Sequence, residues 1–201
     1  MSRTRRNNNY NENIKTKKKT AEEPQQGRKV FIVVGSTGMG KTTTAKNIAL
    51  HSRFGGLPCF IQDINGQYPE IKNLATNNNF KDFLNRASKL KKHTVIFDEA
   101  TVYFKPQQVS EDALNLLASK RHTGNLIILN FHSLRKVPLD ILDFANYIVI
   151  HKTNDIPEKV ESKFDDYRNI FEAWSDIMES EMLTASNGKK YSDSVWIKIA
   201  D

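Results

Sequence analysis

The sequence predicts an α/β fold: a central parallel β-sheet of about five strands with helices on both faces. Five short apolar runs rich in β-branched residues, each separated from the next by a helical pattern, are the first observation. A glycine-rich loop between the first run and the first helical pattern is the second. Composition agrees, because 201 residues with 38% hydrophobic and 26% charged content suit one soluble domain.

Val30–Val34 is too short for a helix, is β-branched and stops at Gly35, so it reads as a buried strand. The helix after it carries Ala45, Ile48 and Ala49 on one face and is broken by Gly55-Gly56. Pro58–Gln62 is the second strand. Asn79 can cap a helix whose apolar positions are Phe80, Phe83, Leu84, Ala87 and Leu90. Thr94–Phe97 is the third strand. Ser110 can cap the next helix, with Glu111 and Asp112 in its first turn and Lys120 and Arg121 in its last. Leu126–Leu129 is the fourth strand, Leu139–Ala145 a short helix and Tyr147–Ile150 the fifth strand. Beyond Ile156, the residues Val160, Phe164, Tyr167, Phe171, Trp174 and Met178 recur at intervals of 4 and 3. That spacing predicts one helix of about six turns with a single apolar stripe. The stripe either packs on the domain's own flank or meets another subunit. Ser194–Ile199 is a candidate last strand.

The formal net charge of +7 is concentrated at one end: residues 1–29 hold nine Lys and Arg against three acids, leaving +1 for the rest. The same segment is rich in Asn, Gln and Thr, so residues 1–27 are expected to be disordered. They form either a basic arm for nucleic acid or a solubilising tail. Cys59 is the single cysteine, so an intramolecular disulfide is impossible and a reducing cytoplasm is the natural setting. The longest apolar runs fall far short of a membrane span, and no apolar stretch follows the basic N-terminus as a secretory signal requires.

Gly35-Ser36-Thr37-Gly38-Met39-Gly40-Lys41-Thr42 fits G-x-x-x-x-G-K-[ST] in full, with Thr43 next in the helix. The glycines let successive N–H groups turn inward around phosphate oxygens, and the helix start adds its positive end. Lys41 places a charge on the β- and γ-phosphates, and Thr42 offers a hydroxyl to Mg²⁺. The motif therefore points to a P-loop NTPase that takes a nucleoside triphosphate with Mg²⁺. Such a site needs an acid at the end of another buried strand, and Asp98-Glu99 follows Thr94–Phe97. Asp98 is the expected Mg²⁺ partner, and Glu99 is placed to polarise an attacking water as general base. That pair marks the ASCE, RecA-like kind of P-loop fold, whose class order is 5-1-4-3-2. In that order the end of the fourth strand meets the γ-phosphate. There His132 is the first candidate sensor and Asn130 the second.

These residues resemble the HerA/FtsK superfamily of DNA-pumping ATPases, which includes compact viral and phage genome-packaging ATPases. The phosphate loop and Asp98-Glu99 are shared with many ATPases. Asp63-Ile64-Asn65-Gly66-Gln67-Tyr68 looks like the family's D-x-x-G-x-Y turn, and Arg121-His122-Thr123-Gly124 like the R-H-x-G of packaging ATPases. Asn146–Asp155 is similar to the family's final core strand. The family usually has Gln where this chain has His132. The resemblance implies an ATPase core at 28–155 and a C-terminal segment, 156–201, packed on the core or at a subunit interface. It further implies a homo-hexameric ring with ATP between subunits and an arginine supplied by the neighbour, Arg121 first and Arg135 second. Double-stranded DNA would be gripped through its backbone, with Lys105 a candidate contact. A capsid or portal-vertex protein is the further partner, and the host cytoplasm the location.

Other classes compete with a genome-packaging motor. A protein-assembly or secretion ATPase like zonula occludens toxin usually carries a membrane span, and none is visible here. A P-loop kinase needs an arginine-rich lid, and the stretch between Arg121 and Arg168 holds none. A non-catalytic DNA-binding module would not need the phosphate loop with Asp98-Glu99. A clamp-loader type of AAA+ ATPase is disfavoured because little chain follows Ile150 for a helical lid.

Overall fold

The computed structural model describes residues 28–51, 56–71 and 79–199. The expected disorder of 1–27 and the helix break at Gly55 lie outside these residues. Gly56 is described: it takes φ 74° and its N–H donates to the Ala49 carbonyl at 2.9 Å, while the first helix is capped at His51, whose N–H donates to the Asn47 carbonyl.

Six strands form the main sheet: β1 (Val30–Val34), β2 (Cys59–Gln62), β3 (Thr94–Phe97), β4 (Leu126–Phe131), β5 (Tyr147–Ile150) and, from the C-terminal hairpin region, Val195–Lys198. The first five pair in parallel in the order β2-β3-β4-β1-β5, which is the expected 5-1-4-3-2 order read from the other edge. The candidate last strand at Ser194–Ile199 forms as Val195–Lys198 and joins the five at the β5 edge. Val195–Lys198 pairs with β5 in the antiparallel sense, so the sheet is mixed at that edge. Two short strands precede it, β6 (Met182–Thr184) and β7 (Lys190–Ser192), which pair as a separate hairpin; Val195–Lys198 is therefore β8.

The helices are α1 (Lys41–Leu50), α2 (Phe80–Ala87), α3 (Ala100–Tyr103), α4 (Glu111–Ala118), α5 (Lys120–Thr123), α6 (Pro157–Lys163) and α7 (Arg168–Glu179). Local chemistry sets their ends. The Asn79 side chain accepts the N–H groups of Lys81 and Asp82 at 3.1 and 3.3 Å. Ser110 Oγ accepts the Ala113 N–H at 3.3 Å. The helix expected from Ser110 through Arg121 is two, α4 and α5, and the break falls at Ser119, whose hydroxyl turns back onto the Leu116 carbonyl at 2.9 Å. The short helix expected at Leu139–Ala145 forms as a 3₁₀ helix over Leu139–Phe144.

The six-turn helix also divides, into α6 and α7 with a 3₁₀ turn at Asp165–Tyr167 between them. The turn shifts the phase of the stripe. Val160 and Phe164 are buried as expected, but beyond the turn Ile170, Trp174 and Ile177 form the buried line, while Phe171 and Met178 lie at its margin. The stripe faces the chain's own core, so it is a flank and not a free surface.

Period-2 alternation sends each strand into two cores. Val30, Ile32 and Val34 of β1 join Ile127, Leu129 and Ile148 under α2, α4, α6 and α7. Phe31 and Val33 join Ile128 and Val149 under α1. All five parallel strands end at one edge of the sheet, which is where ligands bind in such folds.

Trp174 anchors α7: it is 2% exposed and its indole N–H donates to Thr153 Oγ1, just past β5, at 2.9 Å. Trp174→Ala should lower the unfolding free energy by about 3–5 kcal/mol in urea titration. A loss below about 1 kcal/mol would mean that α7 contributes little to the core.

Candidate functional site

The loop from Gly35 to Thr42 leaves β1 held by two strands. Gly35 N–H donates to the Phe131 carbonyl of β4 at 3.0 Å, and Ser36 N–H to the Lys152 carbonyl beyond β5 at 2.8 Å. A Cβ on Gly35 would sit 2.7 Å from the Cβ of His151, so the approach of these two segments requires glycine. Gly40 takes φ 106° as it enters α1. Thr44 N–H makes the first helical bond, to the Gly40 carbonyl at 2.9 Å. The N–H groups of Lys41, Thr42 and Thr43 ahead of it open at the helix start, a ready anion site.

Lys41 is buried, and its Nζ donates to the Ser36 carbonyl at 3.1 Å and reaches His132 Nδ1 at 3.3 Å. Burial pushes the Lys41 ammonium below its usual pKa, while the negative charge of Glu99 and Asp98 pulls it back up. An ammonium only donates, so His132 Nδ1 accepts and the imidazole proton sits on Nε2. From there it bonds Glu99 Oε2 at 2.6 Å. Asn65 Nδ2 holds the other oxygen of Glu99 at 3.4 Å, and Thr101 Oγ1 accepts the His132 N–H at 3.1 Å. Lys41, His132 and Glu99 thus form one chain of contacts across the cleft.

Asp98 directly follows β3 and is 5% exposed. Its Oδ1 accepts the Tyr68 hydroxyl at 2.8 Å and Asn130 Nδ2 at 3.0 Å. Burial raises its pKa, the bonds from Tyr68 and Asn130 oppose that, and the charges of Glu99 and Asp63 add to the rise. The D-x-x-G-x-Y turn explains itself here. Asp63 accepts the N–H groups of Gln67 and Tyr68 at 2.8 and 3.1 Å, Gly66 takes φ 64°, and Tyr68 is delivered to Asp98.

A cleft of about 670 Å³ is lined by Gly38, Gly40, Lys41, Thr42 and Thr43 on one side and Asp98, Glu99 and His132 on the other. The oxygens of Thr42, Asp98 and Glu99 are hard donors of the kind a small divalent cation takes. Among the described residues no three His, Cys, Asp or Glu side chains gather as a metal cage. Thr42 Oγ1 donates to Gln67 Oε1 at 2.8 Å.

The other sequence candidates are placed differently. Arg121 is exposed on α5, ahead of the first residue of β4, and so lies at the opposite end of the sheet from the cleft. Arg135 follows β4 and lines a second cavity, about 430 Å³, with Ser36, Thr37 and His132. Lys105 is exposed after α3. Asn130 is buried against Asp98 and Tyr68 rather than facing the cleft, and its Oδ1 lacks a partner. Sequence reasoning assigned no role to Asn65, Gln67, Tyr68 or His151. The D-x-x-G-x-Y turn was the signal for the first three. His151, buried beneath the loop with Nε2 3.0 Å from Thr44 Oγ1, carries no local signal.

Residues 31–171 match the profile of the family described as "ATPase family associated with various cellular activities (AAA)". Among solved structures, the genome packaging NTPase B204 from Sulfolobus turreted icosahedral virus 2, in complex with ATP-gammaS, is similar with a TM-score of 0.61 at 19% identity. The match covers 84% of this chain and 96% of that one. B204 described as the DNA-packaging ATPase from Sulfolobus turreted icosahedral virus is similar with a TM-score of 0.59 at 17% identity, over 83% of this chain and 96% of that one. The N-terminal domain of zonular occludens toxin from Neisseria meningitidis has a TM-score of 0.46 at 16% identity, over 63% of this chain and 78% of that one. No curated protein matches.

The raised pKa of Asp98 means that the fold prefers the protonated acid. Its contribution to stability is present at acid pH and is lost as pH rises through the raised value, where the carboxyl becomes a buried charge. Asp98→Asn keeps an oxygen for Tyr68 and Asn130 and removes that charge. In the absence of ligand and divalent cation, the variant should melt higher than wild type by a few degrees at pH 7.5, and the gap should close as pH falls. A lower melting temperature at neutral pH would contradict this account of the buried charge.

Proposed function

We propose, from the premise that the chain belongs to the family of ATPases associated with various cellular activities, that it hydrolyses ATP with Mg²⁺ to drive double-stranded DNA. Packaging of a viral genome into a capsid by a homo-hexameric ring is the specific form we infer. The single observation that carries the hydrolytic reading is the convergence of Lys41, Asp98 and Glu99 on one cleft beside the phosphate loop. The fold shared with B204, whose structures are described as a genome packaging NTPase, supports the DNA reading.

In this reading the open N–H groups of Lys41, Thr42 and Thr43 at the start of α1 cradle the phosphates, while Gly35 and Ser36 anchor the loop to the sheet. Lys41 gives up its contacts with Ser36 and His132 to reach the β- and γ-phosphates. Thr42 and Asp98 would hold Mg²⁺, which would supply positive charge to the phosphate oxygens. Glu99 accepts a proton from water as that water's oxygen bonds the γ-phosphorus; the bond to the β–γ bridging oxygen breaks and ADP leaves. His132 carries its proton on Nε2 against Glu99, orienting the base and sensing the γ-phosphate. Arg121, remote from the cleft of its own subunit, would serve the nucleotide of a neighbour, while Arg135 already flanks the cleft of its own chain. The basic segment 1–27, Lys105 and the DNA backbone would meet through charge alone. Among the described residues no helix is long and apolar enough to cross a membrane. The host cytoplasm, with docking to a capsid or portal-vertex protein, is the proposed setting.

Phosphate release with ATP and Mg²⁺, with and without double-stranded DNA, tests this at low and moderate salt. DNA should stimulate turnover, and the stimulation should weaken as salt rises. Glu99→Gln should lower kcat by about 10²–10⁴-fold while nucleotide still binds. Hydrolysis indifferent to DNA would contradict the DNA motor and favour a protein substrate. Phosphate transfer to a small acceptor without hydrolysis would overturn the ATPase reading in favour of a kinase.

A further inference from the structure

The cleft with Asp98 and Glu99 accounts for the phosphate end of a nucleotide and leaves its nucleoside without a place. A further cavity, distinct from the one that Arg135 lines, lies on the other side of the same loop. Its volume is about 760 Å³, and it shares Gly38, Gly40 and Thr43 with the first. Asn47 and Thr44 of α1 and His151 form one part of its lining, and Tyr191, Ser192 and Asp193 from the C-terminal end of the β6–β7 hairpin form another.

The order of groups along a nucleoside triphosphate fixes which cavity takes which end. The γ-phosphate belongs beside Glu99 and His132, where the acids are. The chain of phosphates then runs past the helix start at Lys41 to Thr43. Whatever is attached to the α-phosphate leaves on the side of Thr43 away from Glu99, which is where the further cavity opens.

The hairpin is built to stand there. Ser192 is 1% exposed, its Oγ accepts the Lys152 N–H at 3.0 Å and lies 3.5 Å from the Met39 carbonyl of the loop. The last strand of the hairpin is therefore tied to the phosphate loop and to the segment after β5 at once. Next to it, Tyr191 stays 37% exposed in the cavity lining. An exposed ring beside a phosphate site offers an aromatic face on which a base can stack. Asp193 brings a carboxylate that can accept ribose hydroxyls, and the Asn47 amide offers both a donor and an acceptor.

We infer that the β6–β7 hairpin forms the nucleoside pocket of this ATPase, with Tyr191 stacking on a purine base and Asp193 accepting from the ribose. The inference rests on the proposed ATP site and extends it to residues 182–193, outside the segment that matches the family profile.

Calorimetric titration of the full chain with ATP and, separately, with inorganic tripolyphosphate, both with Mg²⁺, separates the two ends of the ligand. Wild type should bind ATP about tenfold or more tightly than tripolyphosphate. Tyr191→Ala should lose most of that margin and leave tripolyphosphate binding unchanged, while Tyr191→Phe, which keeps the ring, should retain it. Intact tripolyphosphate binding also shows that the variant is folded. Unchanged ATP affinity in Tyr191→Ala, or equal loss of both ligands, overturns the pocket. Wild type that binds both ligands equally overturns the pocket and leaves the phosphate site standing. Wild type that binds neither overturns the ATP reading together with it.

Discussion

A carboxylate buried at the end of the third strand is the constraint around which this edge of the molecule is arranged. Asp98 loses hydration on folding, and an unpartnered buried carboxylate is costly. Two neutral donors, the Tyr68 hydroxyl and the Asn130 amide, offset part of that cost and bond each other at 3.1 Å. They come from the turn after β2 and from β4, the two neighbours of β3. The three strand ends are thereby locked in register, and a negative charge is left facing the loop where cationic groups belong. The charge is the reason for the site, and the donors are the means of keeping it in a folded chain.

The same edge ties the loop down. Gly35 and Ser36 continue the hydrogen bonding of β1 onto β4 and past β5, so the loop cannot move without both strands. Lys41, His132 and Glu99 then bridge the cleft through one imidazole. In the proposed reaction, phosphate would compete for Lys41 and so reach Glu99 through His132, linking occupancy of the cleft to the position of the proposed base.

Much of this was legible in the sequence, for identifiable reasons. Val30–Val34, Thr94–Phe97 and Tyr147–Ile150 are short, apolar and bounded by breakers, and their strands fall on those residues. The phosphate loop and Asp98-Glu99 carry their chemistry in local spacing, and the structure brings them to one cleft. The stripe beyond Ile156 was legible as apolar and illegible as two helices, because a 3₁₀ turn changes phase without changing composition. The AAA family match came where a clamp-loader type had been set aside; the chain after β5 gives α6, α7 and a strand added to the sheet edge. The β6–β7 hairpin escaped notice since its strands are three residues long and largely exposed, although Asn187-Gly188 marks its turn. Tyr68 and His151 act through contacts 30 and 107 residues away in the chain, which no local pattern contains.

The central claim is that hydrolysis at this cleft moves duplex DNA. Displacement of a labelled third strand from a triplex on linear duplex DNA reads that movement directly. The account predicts release that requires ATP and Mg²⁺, fails with a non-hydrolysable analogue, and is lost in Glu99→Gln although that variant still binds nucleotide. ATP hydrolysis at an unimpaired rate on the same DNA with the triplex left intact would contradict it.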